Sequence, residues 1–475
     1  MTKAMTHEMS CDLEKAFEGI SSLDKDDIAL RATSYWDASP LEAAKLLLPK
    51  STEEVSRILA ACNAAGQTVV VQGGRTGCAG GAVSAAADVV LSLEKMNAVE
   101  EIDEIGQTVT VQSGVVLEAL QSQVAARDLF LPLDLGARGS CMIGGNIATN
   151  AGGVNVIRYG MMRNLVLGLE AVLPDGRVIS SMKRMLKDNS GYDLKQLFIG
   201  AEGTLGVITR AILKLEPRVA AHETALVSVA SYDAVLALLA LGKKRLGASL
   251  TSFELMWGDY YRAVAKGLGV RPPIADGHPY YVLIEIEAGD ETGGGAGVQT
   301  VADRLMALLE TAMADDLVTD GVLAQSEQER REIWRIRDDF EPILREKPVY
   351  LYDVSMPVQN MQDYIHAVEK GLARFGGGAV LHVFGHIGDG NLHLFVHPGP
   401  SHAGDDARAR LAAEECVYHP LRGVEGSISA EHGIGREKKR WLGVSRSAEE
   451  IAVMKALKRT FDPKNILNPG VVFDL

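Results

Sequence analysis

Histidine side chains are concentrated in one short part of this 475-residue sequence. Four of the 11 histidines fall between His382 and His397, in the stretch LHVFGHIGDGNLHLFVH. The Asp-Gly pair within it is a preferred two-residue hairpin loop of type I′, and that loop places His386 opposite His393 and His382 opposite His397. Opposed residues of an antiparallel pair have Cβ atoms about 5 Å apart on one face, so two imidazoles there can bind one cation.

A carboxylate that completes a metal-binding set lies further along the chain. Glu431 and His432 stand in the sequence SISAEHGIG. A set formed by His386, His393 and Glu431 leaves coordination positions open for a substrate. Zn²⁺ is the favoured divalent ion, and Mn²⁺ and Fe²⁺ also accept such a set. The alternative for each histidine is a structural, hydrogen-bonded role.

Two glycine-rich segments indicate a large ligand with more than one polar group. GGRTGCAGG spans residues 73–81, and GARGSCMIGGNIATNAGG spans residues 136–153. Glycine allows successive backbone N–H groups to converge on a phosphate. The first segment joins two predicted strands, 68–71 and 88–93, rather than a strand and a helix, which argues against a Rossmann fingerprint. The P-loop pattern G-x-x-x-x-G-K-[ST] is absent as well.

Periodicity and turn chemistry predict the elements that position these residues. Ser51 begins a helix with a capping box, apolar spacing continues to Cys62, and Gly66 ends the helix. Residues 165–173 and 177–180 flank the turn sequence PDG and form a predicted hairpin. Beyond residue 218 the predicted elements are a strand at 280–287, a glycine-rich loop at 290–297, and helices at 298–312 and 359–373.

Composition narrows the classes of protein to which the chain can belong. Hydrophobic residues make up 47% and charged residues 23%, as in a globular protein with a large core, and the length predicts two or three domains. The net charge of −14 argues against nucleic acid or an anionic membrane surface as a partner. The five scattered cysteines fit a reducing compartment better than a disulfide framework. The sequence also has no signal-peptide pattern and no long apolar run, so a cytoplasmic location is predicted.

The glycine-rich segments resemble those of the vanillyl-alcohol oxidase / p-cresol methylhydroxylase family of flavoproteins. VQGGRTGCAGGAV is similar to the family's pyrophosphate loop, and LPLDLGARGSCMIGGNIATNAGG is similar to its second flavin-binding segment. GAEGTLGVIT, GHIGDGNLH, EHG and the terminal NPG match as well. The resemblance extends from about residue 30 to the end. It is greatest to the branch that contains D-2-hydroxyglutarate and D-lactate dehydrogenases.

The resemblance implies an α+β fold. It consists of a two-subdomain FAD-binding domain of the p-cresol methylhydroxylase type and a cap domain in which helices cover an antiparallel sheet. The FAD-binding domain is expected at residues 1–217, the substrate or cap domain at 218–420, and a C-terminal segment that returns to the FAD-binding domain at 421–475.

The resemblance also implies how FAD is bound. The first glycine-rich segment lacks the histidine through which some members attach FAD covalently, so non-covalent binding is expected. The residues expected to bind FAD are Gly73, Gly74, Arg75, Thr76, Gly77, Cys78, Gly80, Gly81, Gly136, Ser140, Gly144, Gly145, Asn146, Thr149, Asn150, Gly152, Glu202, Gly203, Val207, Ile208 and Asn468.

In metal-dependent members the residues that match His386, His393 and Glu431 bind the ion, and the histidine after the glutamate is the base. The resemblance therefore assigns proton abstraction to His432. Arg337 matches the arginine that binds the substrate carboxylate, a role suited to a planar bidentate donor. Asn391 is expected to bond the substrate or the flavin, with a role in the turn as its alternative. The implied reaction is oxidation of a D-2-hydroxy acid by hydride transfer to flavin N5.

Two positions depart from the pattern of the D-2-hydroxyglutarate enzymes. Glu341 and Leu351 stand where those enzymes have a threonine and a lysine that hold the distal carboxylate. An apolar or small R group, as in D-lactate, is therefore as compatible as hydroxyglutarate, although Lys266 is a cation that could restore a dicarboxylate pocket.

An O₂-using, glycolate-type 2-hydroxy acid oxidase and a flavin-dependent transferase of the same fold stay open as alternatives. The family suggests a quinone or an electron-transfer flavoprotein as acceptor, and a homodimer is compatible with it.

Overall fold

The computed structural model describes residues 13–219, 221–288, 300–375, 378–399 and 406–475, so the predicted loop at 290–297 lies outside the described residues. The chain divides into two compact units. The first runs to Gly153, continues over Gly160–Arg218 and ends with Glu431–Leu475. The second comprises Val154–Tyr159 and Val219–Ala430.

The chain returns to the first unit at Glu431 rather than at the expected residue 421. The segment before Glu431 is held in the second unit by backbone bonds. Ser427 and Ser355 exchange N–H···O bonds of 2.7 and 3.1 Å. The N–H group of Ala430 also donates to Asp353 Oδ2 at 3.1 Å.

Strands of the first unit form several sheets. They are β1 Ser21–Leu23, β2 Lys45–Leu48, β3 Val69–Gln72, β4 Val89–Ser92, β5 Val99–Asp103, β6 Thr108–Gln112, β7 Leu129–Phe130, β8 Val166–Val172, β9 Val178–Ser181, β10 Val207–Lys214 and β11 Glu216–Pro217. One sheet has the order β1-β2-β4-β3, a second the order β5-β6-β10-β8-β9, and β11 pairs with β7. Strands β2 and β3 run parallel to β4.

The predicted helix and hairpin of the first unit are confirmed. Helix Thr52–Ala65 begins where the Ser51 side chain accepts a bond from the Glu54 N–H group, and it ends at Gly66 with a φ of 69°. Strands β8 and β9 pair antiparallel across the predicted turn. The α-helices of this unit whose bounds lie within the described residues include Lys25–Ala29, Thr52–Ala65, Leu117–Ala125, Ile143–Ala148, Met162–Leu165, Leu442–Ser445 and Ala448–Phe461.

A seven-stranded sheet forms the centre of the second unit. Its strands are β12 Ala221–Val229, β13 Leu250–Trp257, β14 Tyr280–Ala288, β15 Asp320–Leu323, β16 Tyr350–Ser355, β17 Val380–Gly385 and β18 Asn391–His397. Their order is β15-β12-β14-β13-β17-β18-β16, and each pair of neighbours is antiparallel.

Helices cover this sheet, as the resemblance implied. They are Val156–Tyr159, Tyr232–Leu246, Gly258–Leu268, Val301–Ala314, Glu327–Asp338, Glu341–Leu344, Met361–Leu372 and Asp406–Tyr418. The predicted strand at 280–287 and the predicted helices near 298–312 and 359–373 are confirmed, with small shifts of their ends. Within the described ranges, no helix combines the length and the apolar character that crossing a membrane requires.

One face of the seven-stranded sheet carries polar side chains under its helices. Met256 pairs with Phe384, Phe384 with His393, and His393 with Asp353, so these residues point to the same side. Glu254 lies two residues before Met256 and shares that face. Phe384 packs there against Tyr260, Ile333 and further apolar residues of the two helices Gly258–Leu268 and Glu327–Asp338. Polar groups in this layer therefore need hydrogen-bond partners within the protein.

Candidate functional site

The two glycine-rich segments line a cavity in the first unit. The loop after β3, the start of helix Ile143–Ala148 and the turn before β10 form its wall. The predicted FAD-binding residues on this wall are Gly73, Gly74, Arg75, Thr76, Gly77, Gly80, Gly81, Gly144, Gly145, Asn146, Thr149, Glu202, Gly203, Val207, Ile208 and Asn468. His432, predicted as the base, lines the same cavity.

Glycines on this wall serve two different purposes. A Cβ atom at Gly74 would lie 2.0 Å from the carbonyl oxygen of Ser140, so glycine is required there for the loop to pack. A Cβ atom at Gly77 or Gly145 would meet nothing within 4 Å. These two positions keep open space along the cavity, as a site for a large cofactor requires, and the wall therefore fits FAD.

A buried hydroxyl group on the wall supports the same fit. Ser113 is 1% exposed, and its Oγ atom has no partner among the described residues. Because buried polar atoms are normally hydrogen-bonded, a ligand group in the cavity is the natural partner. Sequence reasoning missed Ser113, which follows β6 without any motif. It also missed the wall residues Ser34, Val71, Ala79, Ala82, Val83, Leu93, Met142, Ala148 and Gly206.

Some predicted FAD-binding residues do not line the cavity. They are Cys78, Gly136, Ser140, Asn150 and Gly152. The Cys78 Sγ atom accepts a bond from the indole N–H group of Trp36 at 3.0 Å. The Asn150 side chain accepts a bond from the Arg163 N–H group at 2.9 Å. The structure thus gives Cys78 and Asn150 local contacts, and their role toward FAD stays a prediction.

Arg75 brings a cation to the cavity wall. Its backbone has a left-handed φ of 56°, and its Nη1 atom donates to the carbonyl oxygen of Ala32 at 2.6 Å. Burial lowers the pKa of Arg75, Arg31 lowers it further, and Glu94 opposes both effects. The guanidinium group is thus held on a carbonyl at the cavity, where an anionic ligand can approach it.

The loop that carries His432 is fixed by its backbone. The Glu202 carboxylate accepts bonds from the N–H groups of Ile434 and Gly435 at 2.7 and 2.8 Å. Gly435 has a φ of 54°, and a Cβ atom there would collide with the carbonyl oxygen of Ala79. Burial raises the pKa of the Glu202 carboxyl, against the effect of these two N–H groups. Glu202 thus positions the loop of the predicted base from inside the cavity wall.

Asn468 connects two parts of the cavity wall. Its Oδ1 atom accepts a bond from the Val71 N–H group at 2.9 Å, and its Nδ2 atom donates to the carbonyl oxygen of Glu202 at 2.8 Å. The residue is 4% exposed and has a φ of 43°. Because both ends of its amide are used, Asn468 supports the wall, and a contact of its side chain with FAD stays a prediction.

The predicted register of the histidine hairpin is wrong. Phe384, not His386, pairs with His393, and residues 386–390 form a wider turn. Asp389 does not have the positive φ that a type I′ loop needs. The N–H group of Gly388 donates to the carbonyl oxygen of Phe253 at 3.1 Å, which draws the turn toward β13.

The two histidines nevertheless lie close together in the second unit. The ring centroids of His386 and His393 are 5.4 Å apart, with the planes at 78°. The rings of His382 and His397 also remain neighbours, at 5.7 Å, although the strand register does not pair them. The His386–His393 pair therefore keeps the proximity on which the metal prediction depends.

Glu254 and Arg337 surround His386. Glu254 Oε1 lies 2.9 Å from His386 Nδ1, and Glu254 Oε2 accepts from Arg337 Nε at 2.8 Å. Burial alone raises the pKa of Glu254, but the charges of Arg337 and His386 outweigh it and lower that pKa. Sequence reasoning missed Glu254; the available signal was a single carboxylate in the apolar strand LTSFELMW.

Arg337 is buried, and the Nε–Nη2 edge of its guanidinium group contacts Glu254. Its Nε and Nη2 atoms lie 2.8 and 2.6 Å from Glu254 Oε2. The Nη1 atom donates to Asp338 at 3.1 Å. Asp338 is half exposed, so this last contact is the one that a substrate carboxylate can replace. The predicted role toward substrate thus falls to the Nη1 end of the group.

Asn391 is buried beside Asp353, at the start of β18. Its Nδ2 atom donates to Asp353 Oδ1 and to the carbonyl oxygen of Val354, both at 2.9 Å. Its Oδ1 atom is buried without a partner among the described residues. Asp353 Oδ1 also lies 3.9 Å from His393 Nδ1. The Asn391 oxygen is thus an acceptor that a bound molecule can satisfy.

Adding a side chain at Gly145 tests the assignment of the cavity. We expect Gly145→Val to weaken FAD binding by at least about 10-fold, since overpacking costs roughly 1–3 kcal/mol. The apoprotein should keep its melting temperature, because nothing lies within 4 Å of the new Cβ atom. FAD titration of the apoprotein measures the effect. Gly443→Val is the matched control, since Gly443 is also a helical glycine with nothing within 4 Å of an added Cβ atom, lies off the cavity wall and has no predicted role toward FAD; equal FAD affinity of both variants would contradict the assignment.

Two stretches of the chain match protein-family models. Residues 43–181 match the "FAD binding domain", and residues 218–472 match "FAD linked oxidases, C-terminal domain". The second match covers more than half of the chain. Together the two models span both units of the structure.

Curated relatives carry dehydrogenase names. A putative mitochondrial D-lactate dehydrogenase of Schizosaccharomyces pombe is 40% identical over 433 residues, covering 89% of this chain and 80% of the relative. A mitochondrial D-2-hydroxyglutarate dehydrogenase of Bos taurus is 42% identical over 427 residues, covering 89% of this chain and 76% of the relative.

A solved structure shows the same fold. The crystal structure of p-cresol methylhydroxylase with substrate bound aligns with a TM-score of 0.76 at 14% identity, over 100% of this chain and 98% of that one. This confirms the predicted α+β fold of the p-cresol methylhydroxylase type. With these matches, and with a cavity that fits FAD, the chain belongs to the FAD-linked oxidase family of oxidoreductases, in the branch of the D-2-hydroxyglutarate and D-lactate dehydrogenases.

Proposed function

We propose that the protein oxidises a D-2-hydroxy acid to the 2-oxo acid by hydride transfer to flavin N5, with a divalent metal at the substrate. The observation that carries this proposal is the position of His432 on the wall of the cavity that fits FAD. Oxidation of an alcohol to a carbonyl needs a base for the hydroxyl proton near the hydride acceptor. The names of the relatives, D-lactate and D-2-hydroxyglutarate dehydrogenase, support the substrate class.

Each proposed residue has a distinct task. When bound, FAD supplies the hydride acceptor, and the metal supplies a Lewis acid for the hydroxyl and carboxylate oxygens. His432 accepts the hydroxyl proton at a ring nitrogen. Arg337 binds the substrate carboxylate through its Nη1 end, and Asn391 Oδ1 accepts a hydrogen bond from the substrate.

The residues proposed for the metal have suitable chemistry. Glu254 Oε1 lies 2.9 Å from His386 Nδ1, so we assign the other ring nitrogen, Nε2, to the ion. The Nη2 atom of Arg337 lies 3.1 and 3.0 Å from the two nitrogens of His386. These contacts keep the guanidinium group of Arg337 against the His386 ring.

His393 and Glu431 complete the proposed set. Glu431 directly follows Ala430, whose N–H group donates to Asp353, and Asp353 pairs with His393 in the sheet. One Glu431 oxygen accepts a bond from the Gly153 N–H group at 2.5 Å, which fixes the carboxylate. Zn²⁺ is the favoured ion for two imidazoles and one carboxylate, with Mn²⁺ and Fe²⁺ as alternatives.

Leu351 and Glu341 leave a substrate with an apolar R group as compatible as a dicarboxylate. Leu351 lies on β16, two residues before Asp353 on the same face, and packs against the apolar cluster of that face. Glu341 is exposed at the start of helix Glu341–Leu344, and Lys266 is exposed on helix Gly258–Leu268. Neither Leu351 nor Glu341 can donate a charged hydrogen bond to a second carboxylate.

A screen of D- and L-2-hydroxy acids with an artificial dye acceptor tests the proposed function. We expect dye reduction and anaerobic bleaching of the flavin with D-isomers only. D-lactate and D-2-hydroxyglutarate are compared to decide the R group. Activity with L-isomers alone, or bleaching by no 2-hydroxy acid, would refute the proposal, and the second result would favour a transferase. Fast reoxidation of the flavin by air would identify an oxidase instead.

Several properties of this proposed enzyme stay predictions. FAD is held non-covalently, and a quinone or an electron-transfer flavoprotein accepts the electrons. The substrate is a small molecule rather than nucleic acid, the location is cytoplasmic although relatives are named mitochondrial, and a homodimer is compatible with the family.

A further inference from the structure

Glu254 is a buried carboxylate to which the proposed reaction assigns no task. It lies in the middle of β13 and is 1% exposed. A buried carboxylate is costly unless charged or hydrogen-bonding groups compensate it. Its two oxygens contact two different residues of the proposed site, His386 and Arg337.

The two contacts constrain their partners in different ways. His386 Nδ1 lies 2.9 Å from Glu254 Oε1. Because an ionised carboxylate can only accept a hydrogen bond, this contact requires the ring hydrogen to be on Nδ1. Histidine ligands of metals usually donate their second N–H group to a carboxylate or carbonyl, which fixes the ring and its tautomer. Glu254 Oε2 accepts a hydrogen bond from Arg337 Nε at 2.8 Å and forms an ion pair with Nη2 at 2.6 Å, and these contacts restrain the guanidinium group.

We propose that Glu254 is a positioning residue that holds His386 with Nε2 available for the metal and holds Arg337 with its Nη1 end available for the substrate carboxylate. One side chain thereby couples the orientation of a metal ligand to that of a substrate-binding residue. This inference rests on the proposed function, because it deepens the roles assigned there to His386 and Arg337.

Glu285 shows what a buried glutamate on the same face does when no histidine lies at hydrogen-bond distance, since its histidine neighbour, His222 Nδ1, is 3.9 Å from Oε1. It is 3% exposed on β14 and accepts bonds from Arg330 Nε and Nη2, both at 2.8 Å. The Trp334 indole and the Thr224 hydroxyl also donate to it. Glu285 thus forms a buried glutamate–arginine pair in which the arginine bonds to both carboxylate oxygens, and it is a control for loss of such a pair elsewhere in the sheet.

Glu254→Gln is the decisive substitution, because a glutamine amide has one acceptor oxygen for two donor partners. If that oxygen faces Arg337, the amide NH₂ group faces His386 Nδ1. Nδ1 must then accept a hydrogen bond from the amide, so the ring hydrogen moves to Nε2. If the oxygen faces His386, the NH₂ group faces the N–H groups of Arg337. Either arrangement disturbs one of the two functional residues.

The experiment compares Glu254→Gln with Glu285→Gln in the FAD-loaded protein. Zn²⁺ affinity is measured by competition with a chromophoric chelator, and melting temperature by circular dichroism. We expect Glu254→Gln to lose roughly 10–100-fold in Zn²⁺ affinity and to raise KM for the hydroxy acid. We expect Glu254→Gln and Glu285→Gln to lower the melting temperature by similar amounts. The Zn²⁺ affinity of Glu285→Gln should stay within about threefold of wild type.

The outcomes separate this inference from the proposed function. Equal Zn²⁺ affinity of the two variants, in a wild-type protein that binds Zn²⁺, would overturn the role of Glu254 alone. A wild-type protein that binds no Zn²⁺, Mn²⁺ or Fe²⁺ would overturn the metal part of the proposed function and this inference with it.

A second measurement does not depend on the folding of a variant. In the Zn²⁺-loaded wild-type protein with ¹⁵N-labelled histidine, the signals of His386 can be identified by their loss in His386→Gln. We expect a hydrogen on Nδ1 and the metal on Nε2. A hydrogen on Nε2, or the metal on Nδ1, would contradict the orientation that Glu254 is proposed to impose.

Discussion

Replacing His432 by alanine is expected to lower kcat by roughly 10²–10⁴-fold, the usual contribution of a general base. The loop should keep its shape, because Glu202 holds the backbone N–H groups of Ile434 and Gly435 rather than the His432 side chain. Metal and FAD should therefore stay bound. Steady-state kinetics with a dye acceptor give kcat, and flavin absorbance with metal analysis gives cofactor content.

A second histidine variant controls for loss of an imidazole in general. His366 is exposed on helix Met361–Leu372, where its ring bonds the Gln362 side chain at 2.9 Å. His366→Ala should leave kcat unchanged. If His432→Ala also stays within about threefold of wild type, His432 is not the base, and the proposed mechanism loses the observation on which it depends.

Removal of the metal is expected to lower activity by roughly 10³-fold or more, because a Lewis acid contributes several kcal/mol and 1.4 kcal/mol is about tenfold. FAD should remain bound, since its cavity is built from other residues. Dialysis against a chelator followed by kinetic and absorbance measurements tests both statements. Addition of Zn²⁺, Mn²⁺ or Fe²⁺ in turn identifies the ion that restores activity.

Variants of the histidine hairpin extend this test. His386→Ala and His393→Ala should reproduce the effect of chelation. His397→Ala is the matched control, because His397 lies on the same hairpin with its ring next to His382 and has no proposed ligand role. Full activity of the metal-free protein would refute the metal hypothesis and leave His386 and His393 with structural roles.

Local chemistry made a large part of the first unit predictable. The helix after Ser51 follows from a capping residue, apolar spacing and a terminal glycine, and all three lie within 16 residues. The β8–β9 hairpin follows from a turn sequence between two apolar runs. The glycine-rich segments indicated a large ligand because glycine density reports on backbone geometry directly. Such features depend on neighbours in sequence, so the sequence alone can specify them.

The hairpin register and the partners of Arg337 depend on contacts that are distant in sequence. The 386–390 turn is wider than predicted because Gly388 bonds to Phe253 on β13, which no local pattern encodes. Glu254 lies 83 residues from Arg337 and 132 from His386. A single glutamate in an apolar strand indicates that a buried partner must exist, but its identity follows only from the order of strands in the sheet.

The discontinuity of the first unit has a consequence for its biosynthesis. Val71 on β3 bonds to Asn468, which is synthesised 397 residues later. At about 5–20 residues per second, ribosomes need roughly 20–80 s to cover that interval. During this time the second unit, which apart from Val154–Tyr159 is one continuous stretch, can fold while β3 and its glycine-rich loop wait for their C-terminal partner. We therefore expect FAD to bind only after the C-terminal segment that completes the cavity wall has been translated.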